Sequence, residues 1–288
     1  MEGSNETRIV LLGKTGSGKS SLGNLILGDQ RLEVKSSPES ETHGCQVTSA
    51  VINGKYIKVI DTPGFFDTNM SEEKLKREIL KCMAECAPGP HAFLIVLEVG
   101  RYTDQEKEII HKVLGYFSEE ALQHAVVVFT HGDQLEEGKT IEDFTSRSKS
   151  LRDVVKKCGG RCHVVDNKYW NNNNHGDYKN NQFQVEQLLN TIERMKWQGY
   201  YSNEILDRVE REKRRTKGSI IDRLLSMFRT LTASEILQRF FGCVAGCFRR
   251  RRSSTSEDEH LLNDFETFSL DGKQGASSSF SQSRRRKP

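Results

Sequence analysis

The sequence of 288 residues predicts an α/β protein with a mostly parallel sheet flanked by helices, followed by a C-terminal helical extension and a disordered tail. Three observations lead to this prediction. Strand-like and helix-like segments alternate over the first 200 residues, which is typical of βαβ architecture. Residues 92–98 and 125–129 are almost continuously apolar, as are strands buried on both faces. A glycine-rich loop, 13–20, joins the first strand-like segment to the first helix-like one.

The elements follow from hydrophobic periodicity along the chain. The predicted strands are 8–12, 46–52, 56–60, 92–98, 125–129 and 161–165, and the predicted helices are 19–28, 71–86, 103–117, 140–158 and 181–198. Asn53 and Gly54 favour a hairpin between the second and third strands, so we expect these two strands to be antiparallel and one of them to lie at the sheet edge. Helices between the other strands imply right-handed connections in an open sheet.

The chain changes in character near residue 200. We expect a helical extension over 201–248 and a basic, Ser-rich disordered tail over 249–288. Residues 201–288 hold 18 Lys and Arg against 12 Asp and Glu, whereas the first 200 residues hold 25 against 28. The net charge of +3 therefore arises in the C-terminal part, which favours an acidic partner surface such as phospholipid.

The seven cysteines are odd in number, and the N-terminus has no signal-peptide pattern, so we expect a reducing, cytoplasmic setting. Three pairs have C-x-x-x-C spacing: Cys82 and Cys86, Cys158 and Cys162, Cys243 and Cys247. Zinc sites favour C-x-x-C pairs, so we expect Cys82 and Cys86 to be core residues on one face of a helix. No apolar run approaches the ~20 residues that a membrane-spanning helix needs.

The glycine-rich loop fits the P-loop pattern G-x-x-x-x-G-K-[ST] and predicts a site for a nucleoside triphosphate. Its backbone N–H groups and the N-terminus of the following helix would surround the phosphates. Lys19 would reach the β- and γ-phosphates and Ser20 would ligate Mg²⁺. The predicted nucleotide-binding residues here are Gly13, Lys14, Thr15, Gly16, Ser17, Gly18, Lys19, Ser20 and Ser21.

A second phosphate motif follows a hydrophobic strand about 40 residues later, at Asp61-Thr62-Pro63-Gly64. Asp61 would hold Mg²⁺ through a water molecule, and Gly64 would offer its N–H to the γ-phosphate. A strand that ends in D-x-x-G at this distance from a P-loop is typical of switch GTPases, although D-x-x-G alone is a common turn.

The polar stretch 34–45 between these motifs should contain a loop that responds to the γ-phosphate. Such a loop places a threonine hydroxyl on Mg²⁺. Thr42 is the candidate metal ligand, and Ser40 and Thr48 are rivals.

The base is selected by residues that follow the later strands. Asp133, in Phe129-Thr130-His131-Gly132-Asp133, would accept hydrogen bonds from N1 and N2 of guanine, a donor pair that adenine lacks. Asn167, after the strand 161–165, would meet the base or its O6, and His131 would stack on the purine. The alternative for Asp133 is a helix-capping residue.

These motifs resemble those of the GTPases of immunity-associated proteins (GIMAP), a branch of the GTPases similar to septins and chloroplast import receptors. The matching segments are GKTGSGKSSLGNLILG, DTPGFFDT, FTHGDQL and VVDNK, and the family's own box corresponds to residues 94–106. The resemblance covers 6–200 and implies a guanine-nucleotide-binding domain with Mg²⁺. It also implies nucleotide-dependent self-association across the nucleotide face and, often, C-terminal membrane attachment. Thr130-His131 departs from the usual Asn-Lys.

Hydrolysis of GTP should be slow, because Phe65 and Phe66 follow Gly64 where other GTPases orient water with a glutamine. Arg101, inserted by a partner subunit, is the catalytic candidate together with Lys19; Arg101 could equally cap the following helix. Asp67 and Glu98 are further groups that could polarise water.

Two functions therefore stay open. One is a slow or dimerisation-dependent GTPase, and the other is a GTP-binding scaffold that assembles on membranes with essentially no hydrolysis. Asp133 disfavours a third function, that of an ATP-dependent enzyme.

The end of the extension combines apolar, cysteine and basic residues. The apolar run 240–248 contains Cys243 and Cys247, and Arg249–Arg252 follow directly. Acylated cysteines beside a basic cluster would anchor the protein peripherally on the cytosolic face of a membrane. The alternative is a packed helix end with a solvated basic run. Nucleic-acid binding is disfavoured, because no aromatic stacking residues accompany the arginines.

Overall fold

A computed structural model of the chain describes residues 6–33, 44–64, 70–100, 104–171, 177–215 and 218–242. These residues belong to one compact unit that extends to Val244. The predicted tail 249–288 lies outside the described residues, as does the segment with Cys243 and Cys247.

The sheet has six strands in the order β2-β3-β1-β4-β5-β6. They are β1 (Glu6–Leu12), β2 (Gln46–Ile52), β3 (Lys55–Asp61), β4 (Ala92–Glu98), β5 (Ala125–Thr130) and β6 (Cys162–Val164). Only β2 runs antiparallel to its neighbour, and it lies at the edge. Asn53 and Gly54 both have left-handed backbones, with φ of 50° and 74°, which suits the tight turn that this dipeptide predicts. The strand and hairpin predictions are confirmed, with shifts of one or two residues at some ends.

Ten α-helices are assigned within the described ranges. They are α1 (Lys19–Leu27), α2 (Glu72–Cys86), α3 (Asp104–Tyr116), α4 (Glu119–Gln123), α5 (Ile141–Ser146), α6 (Lys149–Lys157), α7 (Asn181–Lys196), α8 (Glu204–Arg215), α9 (Ile220–Met227) and α10 (Ala233–Phe240). The prediction of one helix over 140–158 is wrong. The helical region is interrupted at Ser148, which is the N-cap of α6. The Ser148 hydroxyl accepts a hydrogen bond from Leu151 N, so a new helix begins there. Helix α4, which Ser118 caps in the same way, was not predicted.

Alternate residues of the central strands are buried on opposite faces of the sheet. Ile9 and Leu11 of β1 pack with apolar residues of α1 and α7, whereas Val10 and Leu12 pack with those of α2 and α3. All four side chains are fully buried. The near-continuous apolar runs in the sequence follow from this burial on both faces.

Helices α8, α9 and α10 lie on the α2 side of the sheet. Two hydrogen bonds join α2 to the start of α10. Lys76 Nζ donates to Leu231 O at 2.6 Å, and Ala233 N donates to the carboxylate of Glu72. The helical character predicted from the sequence is thus present, divided among three helices. The domain boundary near residue 200 stays a prediction.

An aromatic cluster holds the last described residues against the sheet. Phe93, Phe117, Tyr201, Phe240 and Phe241 are its members. The rings of Phe117 and Phe241 stack with centroids 4.0 Å apart, and Ser118 N donates to Phe241 O at 2.8 Å. Gly242 forms an isolated β-bridge with Phe117. The chain at Gly242 is therefore fixed beside the start of β4.

The five described cysteines are buried free thiols. Cys82 and Cys86 lie in the core on α2, as predicted, and Cys45 packs in the same core. Hydrogen bonding by Cys45 and Cys86, together with burial, raises the pKa of Cys82 well above its ordinary value. No cluster of three or more His, Cys, Asp or Glu suited to a metal ion occurs among the described residues. None of the described helices combines the length and apolar character needed to cross a membrane.

Candidate functional site

The carboxyl ends of the parallel strands bring the predicted site residues to one edge of the sheet. Leu11 near the end of β1 pairs with Asp61, the last residue of β3, and Glu98 at the end of β4 pairs with Thr130 at the end of β5. Ligand sites of open α/β sheets form at this edge. We refer to it as the nucleotide edge.

The loop 13–18 leads from β1 into the N-terminus of α1. Gly18 is the residue before the helix, in a left-handed conformation with φ 82°, and no side chain caps the helix there. The first turn of α1 carries no acidic residue. Ser17 is fully buried, and its hydroxyl has no hydrogen-bond partner among the described residues. A helix N-terminus with these features suits a bound anion.

Close approaches of neighbouring groups explain two of the loop glycines. A Cβ at Gly13 would lie 2.5 Å from the carbonyl oxygen of Val96, and a Cβ at Gly18 would lie 2.4 Å from Nδ2 of Asn167. A side chain at Gly13 would collide with the backbone of β4, and one at Gly18 would displace the amide of Asn167. The second contact also shows that Asn167, predicted near the base, lies directly against the phosphate loop.

Lys19 is almost entirely buried, with 4% of its surface exposed. Its ammonium group donates to the carbonyl oxygens of Gly13 at 3.2 Å and Lys14 at 2.7 Å. These bonds hold the charge over the loop, where it can meet phosphate oxygens. Lys14 in turn lies 3.6 Å from the carboxylate of Glu98.

Ser20 and Asp61 meet across the site. The Ser20 hydroxyl donates to Oδ2 of Asp61 at 2.5 Å, and the buried Oδ1 of Asp61 has no partner within the described chain. Burial raises the pKa of Asp61, while Lys19 and the Ser20 hydrogen bond act in the opposite direction. A hydroxyl and an unsatisfied carboxylate oxygen are the hard oxygen ligands that Mg²⁺ prefers, so the pair fits this ion.

The end of β3 is tied to β1 directly beside this pair. Thr62 donates its hydroxyl hydrogen to Leu11 O at 2.6 Å. Gly64, the predicted γ-phosphate contact, is buried and is the last residue described before a gap. Phe65, Phe66 and Asp67 lie outside the described residues.

The predicted base-recognition loop begins at Thr130. The Thr130 hydroxyl donates to Ser17 O at 2.9 Å, which joins this loop to the phosphate loop. His131 has a left-handed backbone with φ 58°, and its ring nitrogen lies 3.1 Å from the Thr130 hydroxyl. Asp133 is exposed in a short 3-10 turn, 132–134. Its carboxylate is thus free of the core and accessible to a base.

Asp166 organises the loop after β6. Its Oδ1 accepts hydrogen bonds from the backbone of Lys168, at 2.9 Å, and of Tyr169, and its Oδ2 accepts from Asp133 N at 3.3 Å. Burial acts to raise the pKa of Asp166, but these hydrogen bonds outweigh it and lower the pKa; the pKa of Asp133 is raised by burial and by Asp166. Asp166 is therefore the carboxylate that organises the loop, and the exposed Asp133 side chain lies beside it and is hydrogen-bonded to it.

Two further side chains support this loop. The Trp170 ring covers Gly132, where a Cβ would lie 2.5 Å from the indole. Asn181 at the start of α7 accepts from Asp166 N at 2.9 Å and donates to Asp166 O. Asn167 Oδ1 is buried and has no hydrogen-bond partner in the described part of the chain. The loop after β6 therefore has an unsatisfied acceptor close to Gly18.

The remaining predicted site residues are placed as follows. Thr48 of β2 pairs with Val59 of β3, two residues from the nucleotide edge, where Gln46 pairs with Asp61. Thr42, the candidate metal ligand, and its other rival Ser40 lie outside the described residues, and so does Arg101. Thr15, Gly16 and Ser21 lie in the phosphate loop and the first turn of α1, as expected from the motif.

The sequence reasoning missed Thr130, Asp166, Trp170 and Asn181 as supporting residues. Two signals in the sequence could have indicated the first two of these residues. Thr130 lies at the end of a buried strand, and Asp166 directly precedes Asn167. Trp170 and Asn181 carry no such local signal, because their partners are distant in the chain.

The fold and the site define an α/β protein with a P-loop sequence before α1, a buried aspartate at the end of β3 and a loop after β5 that is hydrogen-bonded to the P-loop. The chain belongs to the AIG1 family, whose model matches residues 7–219.

Curated relatives match about two thirds of the chain. GTPase IMAP family member 8 of Mus musculus is 34% identical over 193 residues, which is 67% of this chain and 27% of that protein. Immune-associated nucleotide-binding protein 7 of Arabidopsis thaliana is 37% identical over 190 residues, covering 64% of this chain and 59% of that protein. The chain thus spans about a quarter to three fifths of these relatives.

Solved structures confirm the fold. Toc33 of Arabidopsis thaliana in complex with GDP and Mg²⁺ aligns with a TM-score of 0.52 at 21% identity, over 68% of this chain and 86% of that one. A dimerization-deficient mutant of Toc33 gives the same values. The expected resemblance to chloroplast import receptors is therefore confirmed at the level of fold.

Proposed function

We propose that the protein is a guanine-nucleotide switch that binds GTP and GDP with Mg²⁺ at the nucleotide edge. The observation that carries this proposal is the Ser20–Asp61 pair beside the uncapped N-terminus of α1. The names of the relatives, a GTPase and an immune-associated nucleotide-binding protein, support it. So does the structure of Toc33 with GDP and Mg²⁺.

The residues divide the work of binding. The backbone N–H groups of the loop and Lys19 would hold the phosphates, and Ser20 and Asp61 would hold the metal. The bound Mg²⁺ would neutralise phosphate charge. Asp133 selects guanine, because a carboxylate accepts from both N1 and N2 of that base.

Hydrolysis is proposed to be slow in the isolated protomer and to depend on self-association across the nucleotide face. Neither Phe65 nor Phe66 can orient a water molecule, so a group from a second copy is needed, and Arg101 is the candidate. An arginine supplied in this way is worth roughly 10³–10⁵ in rate where it occurs. A solved structure of a chloroplast translocon component supports this proposal. It is named for the importance of dimerization for the GTPase activity of two such components, one of them Toc33.

Single-turnover GTP hydrolysis across a protein concentration series tests it. The rate should rise with concentration in the wild type and fall by at least tenfold in Arg101→Ala. Arg194→Ala, which removes an exposed arginine at the far end of α7, is the matched control and should keep the wild-type rate. Light scattering in GDP and in a GTP analogue measures the accompanying assembly.

A scaffold that binds GTP without hydrolysing it is the second candidate, favoured by the two phenylalanines after Gly64. A flat, negligible rate at all concentrations, with GTP bound and assembly intact, would establish it.

In either case we propose peripheral attachment to the cytosolic face of a membrane through Cys243, Cys247 and Arg249–Arg252. Fractionation of a variant with both cysteines changed to Ser tests the acylation.

A further inference from the structure

Exposed large apolar side chains are concentrated at the end of the sheet opposite the nucleotide edge. Of the five in the described residues, four lie there: Trp197, Tyr200, Tyr56 and Val51. Trp197 is the most exposed, at 89%. Scattered surface residues of this kind are ordinary, but a group of them at one end marks an interaction surface.

The position of this group follows from contacts with the amino ends of the strands. Trp197 follows the last turn of α7, where Lys196 Nζ donates to Thr7 Oγ1 in β1 at 3.0 Å. In the same turn, Glu193 pairs with Lys55 at the start of β3 at 3.1 Å. Val51 and Tyr56 face each other across the hairpin. We call these four exposed residues and the basic groups around them the basal surface.

The described chain ends beside the basal surface. Tyr201 N donates to Pro90 O at 2.9 Å, just before β4, and the Tyr201 hydroxyl lies 2.7 Å from where a Cβ of Gly242 would be. Tyr200 and Gly242 therefore flank the same buried tyrosine. Cys243, the first cysteine of the proposed anchor, is the next residue in the sequence.

The charges of the basal surface favour an acidic partner. Two acidic side chains at this end of the sheet, Glu6 and Glu193, are each in an ion pair, with Arg8 and Lys55. Arg194 and Lys196 add positive charge next to Trp197. Arg8 also lies over the Tyr200 ring, 5.3 Å from its centroid. Exposed tryptophan and tyrosine beside Lys and Arg are typical of proteins that rest in the headgroup layer of a bilayer.

We propose that the basal surface lies on an anionic membrane, with Trp197 and Tyr200 inserted among the lipid headgroups. This proposal rests on the peripheral attachment proposed above and names the part of the folded domain that meets the lipid. It places the nucleotide edge on the side away from the membrane, open to a second copy of the chain.

The two tryptophans of the chain give a direct test, because Trp170 is buried beside Gly132, 3% exposed, and Trp197 is not. Full-length Trp170→Phe leaves Trp197 as the only indole, and Trp197→Phe leaves Trp170. Phosphatidylcholine vesicles with and without phosphatidylserine are added to each. The emission of Trp170→Phe should shift to shorter wavelength with phosphatidylserine vesicles and be quenched by brominated acyl chains. That of Trp197→Phe should not change.

Vesicle affinity supplies the second measurement. Trp197→Ala should bind phosphatidylserine vesicles about tenfold more weakly, because one large aromatic side chain no longer leaves water. Tyr169→Ala, which removes an exposed aromatic residue at the nucleotide edge, is the matched control and should bind like the wild type.

Three results would overturn the proposal. The first is vesicle binding without any change in Trp197 emission, which would leave attachment through 243–252 intact. The second is an emission shift that grows with protein concentration in the absence of vesicles, because a second copy or another protein would then be the occupant. The third is absence of vesicle binding by the full chain. Nucleotide affinity, titrated in the same samples, reports separately on the proposed nucleotide site.

Discussion

The hydroxyl of Ser20, in the first turn of α1, donates to Oδ2 of Asp61, the last residue of β3, at 2.5 Å. Two residues 41 positions apart in the chain are thus in direct contact. The hydrogen bond satisfies one oxygen of the buried carboxylate and leaves the other, Oδ1, without a partner in the described chain. A cation that takes up Oδ1 removes the cost of this burial, so we expect metal binding to stabilise the fold.

Asp61→Asn should separate metal binding from folding. GTP affinity in Mg²⁺ should fall about 10–100-fold, because the charged ligand is lost, and the difference should vanish in EDTA. Isothermal titration with and without EDTA measures both. Equal losses in the two conditions would contradict a metal role for Asp61.

The same variant has an expected pH signature. Because burial raises the pKa of Asp61, the folded chain retains a proton that the unfolded chain has lost once the pH passes about 3.8. Ionised Asp61 therefore lowers the free energy of unfolding as the pH rises through this window. Without metal, Asp61→Asn should be at least as stable as the wild type at neutral pH. Urea unfolding in EDTA checks this.

Thr130→Val should weaken the contact between the phosphate loop and the loop after β5. It leaves Ser17 O without the Thr130 hydroxyl, a change that typically costs about 1–3 kcal/mol for a buried group. Denaturant unfolding and the rate of nucleotide release measure the loss. Thr130→Ser keeps the hydroxyl and serves as the control; a similar loss there would show that the methyl group matters instead.

Gly18→Ala and Gly16→Ala form a matched pair. Both glycines have left-handed backbones, with φ of 82° and 85°, but only at Gly18 would a Cβ meet other groups, Nδ2 of Asn167 and the methyl group of Thr130. Gly16→Ala should cost about 1–2 kcal/mol of backbone strain and retain nucleotide binding. Gly18→Ala should displace Asn167 and abolish binding. Equal affinities of the two variants for a fluorescent GDP would argue against this close approach.

Asp133→Asn should change the base that is preferred. The loss of a charged acceptor lowers GTP affinity by about 10–100-fold. Xanthine presents a carbonyl where guanine presents its amino group, so the asparagine amide can donate to it and XTP binding should improve. Competition among GTP, XTP and ATP measures the selectivity. Unchanged GTP affinity would indicate that Asp133 merely caps the short turn.

His91 should contribute to acid sensitivity. Burial, with the charge of Arg8, lowers the pKa of His91 to about 3, and its Nδ1 accepts from Arg8 N at 2.9 Å. The unfolded chain takes up this proton near pH 6.5, so stability is lost as the pH falls from there towards 3. His91→Gln should reduce this slope by up to about 1.4 kcal/mol per pH unit. Urea unfolding at several pH values measures it; an unchanged slope would exclude His91.

Much of the fold could be predicted, because strands such as β4 and β5 are buried on both faces and therefore consist almost entirely of apolar residues. The break at Ser148 and the helix after Ser118 were not foreseen. Each depends on a single hydroxyl that caps a helix, and a lone serine within a helical pattern is a weak signal.

The candidate site divides in the same way. Lys19, Ser20 and Asp61 could be predicted, because phosphate and metal chemistry fixes their types and spacing. Thr130 and Asn181 could not, since Thr130 bonds to Ser17 O, 113 positions away, and Asn181 bonds to Asp166 only once α7 has packed. Such roles come from tertiary contacts that no local pattern encodes.

The buried cysteines have a practical consequence. Cys45, Cys82, Cys86, Cys158 and Cys162 are shielded thiols placed before β2, within α2 and around β6. A thiol reagent can reach each of them only when the surrounding segment opens. Mass-spectrometric mapping of the sites labelled over time would thus rank local opening free energies in three parts of the domain, with no label engineered into the protein.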